Sequence, residues 1–82
     1  MNITVWTKSN CVQCEQTKKQ FDKLGIRYEV KDLEADPYAL EGFKANGLMA
    51  APIVVTDDRK WSGFRLDKIQ SLDRFLKSNG EK

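Results

Sequence analysis

Hydrophobic and polar positions alternate in two distinct periods along this chain. Ile3 and Val5 alternate with Thr4 and Trp6, which predicts a strand over residues 2–7, and the apolar or aromatic character of both faces places that strand in the covered middle of a sheet. Cys14, Thr17, Phe21 and Leu24 then recur at helical spacing opposite Lys18, Lys19 and Lys23, with Gly25 as a C-terminal stop. Ile26, Tyr28 and Val30 in "IRYEV" predict a second strand. Asp36 before Pro37 is a helix start, and Tyr38 or Ala39, Leu40 and Phe43 line a short helix ended by Gly47. "PIVVT" reads as a third strand, and "RKWSG" as a brief fourth across the Asp57–Asp58 turn. Ile69, Leu72, Phe75 and Leu76 form the stripe of a last helix. The order β-α-β-α-β-β-α implies a parallel, right-handed crossover in its first three elements. The short turn between the last two strands demands an antiparallel hairpin.

Length and composition restrict what this α/β pattern can be. Eighty-two residues with 40% apolar content suffice for one domain, 1–82, around one core. Two cysteines are too few for a disulfide-framed secreted scaffold, and the first strand lacks the basic flank and long apolar run of a signal peptide. No stretch is long enough to span a bilayer. A cytoplasmic protein is therefore expected, in a compartment where disulfides are mostly transient. Fourteen basic and 12 acidic residues are interspersed, so the net charge of +2 makes no stripe for tracking phosphates, and no nucleic-acid partner is expected.

Both cysteines fall in "WTKSNCVQCEQTKKQF", two residues apart at the junction of the first strand and helix. C-x-x-C at that place in a βαβ unit is the signal of a thioredoxin-like dithiol. Zinc would need four ligands, and with no His and no further Cys it would require a second chain or unusual carboxylates, so no metal is expected. A purely structural bridge would close a very short loop, where the stabilisation is smallest. Asn10 is placed to cap the helix, with Gln13 in capping-box register, which sets Cys11 at the helix N-terminus where free N–H groups and the macrodipole favour a thiolate. Cys11 is thus the candidate nucleophile. Cys14, one turn inward on the apolar stripe, is the candidate resolving thiol. Lys8 is a candidate for lowering the thiol pKa, although a loop lysine is ordinarily just solvated. No carboxylate suggests itself as a base for Cys14.

In "MAAPIVV", the start of the third strand would lie beside the dithiol. There a cis Ala51–Pro52 bond is expected to leave the Ala51 backbone N–H and C=O for an extended partner segment, against the simpler reading of a trans Pro at a strand start.

"TKSNCVQC", "APIVV" and "WSGFRLDKI" together resemble the NrdH-redoxins, small glutaredoxin-like proteins that function like thioredoxins, across nearly the whole chain. The resemblance implies a thioredoxin fold with sheet order 2-1-3-4 and its last strand antiparallel. It implies a thiol–disulfide oxidoreductase that binds no cofactor, takes electrons from NADPH through thioredoxin reductase, and delivers them to the large subunit of class Ib ribonucleotide reductase. Cys11 and Cys14 carry over as the redox pair and Pro52 as the cis proline. Trp61, Ser62, Gly63, Phe64 and Arg65 carry over as the loop bordering the active site and shaping partner choice, with Phe64 the better exposed anchor and Trp61 equally suited to core packing. Arg65 suits either an acidic partner group or a glutathione carboxylate. Many members have Pro where this chain has Leu66, three residues before Ile69; Leu66 is expected to join the buried stripe of the last helix, the alternative being that it adds to an exposed partner surface.

Two other functions compete with this one. A glutathione-dependent glutaredoxin, or a general protein disulfide reductase, would use the same dithiol. Glutaredoxins hold glutathione with a Thr-Val-Pro segment and a Gly-Gly-x-Asp helix start, which "AAP" and "SGFRLDK" match poorly. A non-enzymatic metal-binding adaptor is the third, and metal content would identify it. A monomer with no membrane association is expected.

Overall fold

The computed structural model describes residues 1–78; residues 79–82, the end of the expected domain, lie outside the described residues. Strands β1 (Thr4–Thr7), β2 (Glu29–Asp32), β3 (Ile53–Val55) and β4 (Lys60–Ser62) form one sheet in the order β2-β1-β3-β4. Helices α1 (Val12–Lys23), α2 (Pro37–Ala45) and α3 (Leu66–Ser78) accompany it. A single 3-10 turn at Leu33–Ala35, absent from the sequence reading, links β2 to α2. β1 pairs with β2 in parallel, whereas β3 is antiparallel to both β1 and β4. This is a thioredoxin fold, as the sequence implies, with β1 inside the sheet.

The helix ends follow from local chemistry. The Asp36 side chain accepts the Ala39 N–H at 3.0 Å, and Pro37 occupies the first turn, where its missing N–H costs nothing. Gly25 (φ 71°) and Gly47 (φ 77°) close α1 and α2 in the same manner. Ile26 N–H reaches Phe21 O at 2.9 Å, and Leu48 N–H reaches Phe43 O at 2.9 Å. Each left-handed glycine thereby lets the chain satisfy carbonyls of the last turn before departing.

That closure also explains why β2 begins later than "IRYEV" suggests. The Ile26 amide is committed to α1, and the apolar side chains of Ile26 and Tyr28 serve the core from the connection rather than from a strand. Pairing starts near Glu29, whose N–H donates to Ile3 O at 2.8 Å. Val30, in register with Val5 on the edge strand, is 52% exposed.

Alternation divides the sheet into two faces. Val5, Val54 and Trp61 stand in one cross-strand row and pack with Ile3 against Phe21 of α1 and Ile69, Leu72 and Leu76 of α3. On the other face the Trp6 ring meets Phe43 of α2 edge-on, with centroids 5.4 Å apart, and Lys31 Nζ sits 5.4 Å from its centroid. Cover on this face is thinner, because no residue of α2 is fully buried; Tyr38, considered for its apolar side, is 91% exposed. Leu66 also departs from expectation. It is the first residue of α3 and is exposed, because it precedes the turn on which Ile69 first reaches the core.

Candidate active site

α1 carries the dithiol out of the C-terminal end of β1. Cys11, not Asn10, is the N-cap: its backbone is extended, and its Sγ accepts the Cys14 N–H at 3.1 Å. Asn10 instead turns the chain in the left-handed region (φ 55°), a conformation its short polar side chain tolerates, so the capping position falls one residue later. The consequence strengthens the electrostatic argument, since a helix N-terminal N–H points directly at the Cys11 sulfur, where a thiolate would gain both a donor and the positive end of the helix dipole. Cys11 and Cys14 are disulfide-bonded, with Cα atoms 5.2 Å apart. Cys11 is half-buried, whereas Cys14 is 1% exposed on the stripe it shares with Thr17 and Phe21.

Two further segments meet this turn. The Ala51–Pro52 bond is cis, and Pro52 is buried at the head of β3. Gly63 N–H donates to Pro52 O at 2.8 Å, which joins the loop after β4 to the proline. Phe64 N–H donates to Gln13 Oε1 at 2.9 Å, which joins the same loop to α1. Gly63 has φ 80°, and a Cβ there would lie 3.3 Å from Gln13 Oε1, so both backbone and space favour glycine. The sequence offers Gln13 only as a capping-box partner. Its role across the site became visible once a contact between positions 51 apart was known.

The loop residues divide by environment. Trp61 is 3% exposed and belongs to the core, and its indole N–H has no hydrogen-bond partner among the described residues. It supports the loop from beneath and presents no surface to a partner, because its place in the Val5–Val54 row turns the ring inward. Ser62 ends β4 opposite Ile53 and is half-buried. Phe64 is likewise half-buried, its ring partly packed against the core, so it is less exposed than its loop position suggests. Arg65 makes a bidentate pair with Asp67, Nε–Oδ1 3.2 Å and Nη2–Oδ2 3.0 Å. That pair holds the Asp67 carboxyl below its ordinary value. Val12 in the first turn of α1, Met49 ahead of Pro52 in the chain and Leu66 at the start of α3 are exposed apolar side chains.

The turn before Cys11 has its own anchor. Ser9 donates to Glu34 Oε1 through its N–H at 2.9 Å and its hydroxyl at 2.7 Å. Those two donors, with a smaller contribution from the Lys8 charge, hold the Glu34 carboxyl below its ordinary 4.5. The Lys8 charge thus acts on a carboxylate, Glu34. A carboxyl whose folded pKa is depressed stabilises the fold fully above its unfolded pKa and loses that contribution as pH falls through the folded one. The Ser9 amide should therefore shift in an NMR acid titration with a midpoint below pH 4.5, and Glu34→Gln should abolish the transition.

Among the described residues no group of three Cys, Asp or Glu is placed to hold a metal ion, and no helix is long and apolar enough to cross a membrane. A depression of about 440 Å³ lined by Met1, Ile3, Arg27 and Tyr28 lies at the opposite end of β1 and contains neither thiol. The chemistry available at the C-terminal end of β1 is thiol–disulfide exchange.

Comparison with known proteins agrees with this chemistry. The family model described as Glutaredoxin matches residues 3–61. The chain is 39% identical over 72 residues to the glutaredoxin-like protein NrdH of Salmonella typhimurium, covering 88% of this chain and 89% of that one. Identity to the protein of the same description from Lactococcus lactis subsp. lactis is 33% over 70 residues, 85% of this chain and 97% of that one. Among solved structures, the glutaredoxin-like NrdH-redoxin of Escherichia coli superposes with a TM-score of 0.83 at 39% identity, covering 88% of this chain and 95% of that one. A buckwheat glutaredoxin–glutathione complex shares the fold, with a TM-score of 0.64 at 24% identity over 96% of this chain and 70% of that one.

Proposed function

The chain belongs to the glutaredoxin family, among its NrdH-like members, and on that basis we propose that it carries electrons from NADPH, through thioredoxin reductase, to the large subunit of class Ib ribonucleotide reductase. It is a thiol–disulfide oxidoreductase with Cys11 and Cys14 as its redox pair. In the proposed cycle the Cys11 thiolate attacks a target disulfide, forming a mixed disulfide and releasing one target thiolate. The Cys14 thiolate then attacks Cys11 Sγ, forming the Cys11–Cys14 disulfide and releasing the second target thiolate. Two electrons have passed to the target, and NADPH restores them through the reductase. The half-buried Cys11 at the helix N-terminus and the enclosed Cys14 support this division of labour. Ala51 beside Pro52, and the loop Ser62–Arg65 with Trp61 beneath it, would receive an extended partner segment, the chain acting in the cytoplasm as a monomeric single domain.

One observation favours thioredoxin reductase over glutathione as the electron source. Two donor groups of the loop are already engaged within the chain, Phe64 N–H by Gln13 and the Arg65 Nε and Nη2 by Asp67, which leaves fewer donors for a small anionic tripeptide. A protein partner, in contrast, can use the exposed apolar side chains Val12, Met49 and Leu66. The test follows NADPH consumption by the oxidised protein in two mixtures, one with thioredoxin reductase and one with glutathione and glutathione reductase. Turnover is expected in the first. Efficient turnover in the second alone would establish the glutathione-dependent reading instead.

A further inference from the structure

We infer that Gln13, the residue before the buried cysteine, is a positioning residue that clamps the partner-facing loop to the redox turn of α1 and thereby sets selectivity for protein disulfides. The inference rests on the reading of this chain as a protein disulfide reductant. Gln13 stands in the first turn of α1 between Cys11 and Cys14, and its side chain is directed to the loop after β4, where Oε1 accepts the Phe64 N–H at 2.9 Å. The adjoining residue is shaped for that approach. Gly63 combines φ 80° with a Cβ position only 3.3 Å from Gln13 Oε1, so a side chain there would press on the acceptor.

The next hydrogen bond along the loop, Gly63 N–H to Pro52 O at 2.8 Å, continues the connection to the cis-proline segment. Consecutive amides of one loop therefore hold the two walls of the site at a fixed separation, one amide tied to the dithiol helix and the other to the proline. Arg65 does not duplicate this link, because its guanidinium is turned to Asp67 at the start of α3. Without Gln13 the Phe64 amide keeps no partner across the site. The loop then remains tethered to Pro52 alone, and its apolar surface can move relative to Cys11.

Loop position matters to a protein target and not to a small one. A macromolecular disulfide must dock against residues 63–65 before its sulfur reaches Cys11, whereas a small aromatic disulfide needs only the sulfur. Gln13→Leu keeps the side-chain volume near that of glutamine and removes the acceptor. Gln13→Glu retains a carboxylate oxygen that accepts an amide strongly.

The experiment measures single-turnover reduction of insulin and of 5,5′-dithiobis(2-nitrobenzoic acid) by the prereduced protein, with amide hydrogen exchange at Phe64 read in the same variants. In Gln13→Leu the ratio of insulin to small-disulfide rate constants should fall about tenfold, the size of effect one hydrogen bond supports, with the loss in apparent insulin affinity. Phe64 exchange should accelerate, and Gln13→Glu should restore both readouts. An unchanged ratio, an unchanged Phe64 exchange rate, or no rescue by glutamate would overturn the inference while leaving the protein-reductant reading in place. A wild-type protein that reduces the small disulfide but not insulin would overturn that reading and the inference with it.

Discussion

Cys11→Ser is expected to abolish disulfide reduction, while Cys14→Ser should stall with a target covalently attached through Cys11. The two outcomes differ because the thiols differ in access and in electrostatics. Cys11 is half-buried at the helix N-cap with the Cys14 N–H 3.1 Å from its sulfur, an arrangement that favours the anion and leaves it open to attack a target. Cys14 is enclosed at 1% exposure and can act only on a sulfur already bonded to Cys11. Without Cys14 the first exchange proceeds and the second cannot, so a mixed disulfide accumulates and is seen as a mass increase that dithiothreitol reverses. Iodoacetamide should likewise modify Cys11 of the reduced protein well before Cys14, at near-neutral pH. Trapping through Cys14 in the Cys11→Ser variant, or equal alkylation rates, would reverse the assignment.

Phe21→Ala should be the most damaging change to the fold and, through it, to the site. Phe21 is fully buried on α1, joins Val5 and Val54 of the sheet to Ile69 and Leu72 of α3, and packs against Tyr28 with ring centroids 5.4 Å apart. Truncating a buried Phe costs about 3–5 kcal/mol in lost transfer energy and residual cavity, and small domains hold only about 5–15 kcal/mol in total. In urea the midpoint of unfolding should fall by at least about 1 M, with slopes near 1–3 kcal/mol/M. Since the same helix presents both cysteines, loss of activity should follow the unfolding curve. Tyr38→Ala serves as the control. That side chain is 91% exposed on α2, and its removal should change stability by about 0.5 kcal/mol or less. A midpoint for Phe21→Ala equal to that of Tyr38→Ala would show that the helix–sheet contact is not where stability resides.

Much of the architecture was legible because its causes are local. Gly25 and Gly47 stop helices where a left-handed residue is needed, Asp36 and Pro37 start one, and the stripes Thr17–Phe21 and Ile69–Leu72–Leu76 repeat with the helical period. The position of C-x-x-C between a buried strand and a helix identified the kind of chemistry for the same reason, since that placement needs no knowledge of distant residues. Where neighbours compete for the same groups, local pattern does not predict the outcome. β2 starts late because the Ile26 amide is spent on closing α1. Asn10 yields the cap to Cys11 because it stands at positive φ, next to Ser9, whose amide is bound to Glu34 across the fold.

The sequence alone therefore determined the element order, the central placement of β1 and the redox pair, all of which depend on periodicity and on residues adjacent in the chain. Only the tertiary structure decided which groups face one another across the site: Gln13 with Phe64, Gly63 with Pro52, Arg65 with Asp67, and Trp61 turned inward while Leu66 turned out. Such pairings bring together side chains and amides whose partners are chosen by where the β4–α3 loop lands on α1 and β3, and no local propensity encodes that landing, because a loop amide can satisfy itself equally well with water until packing removes the choice.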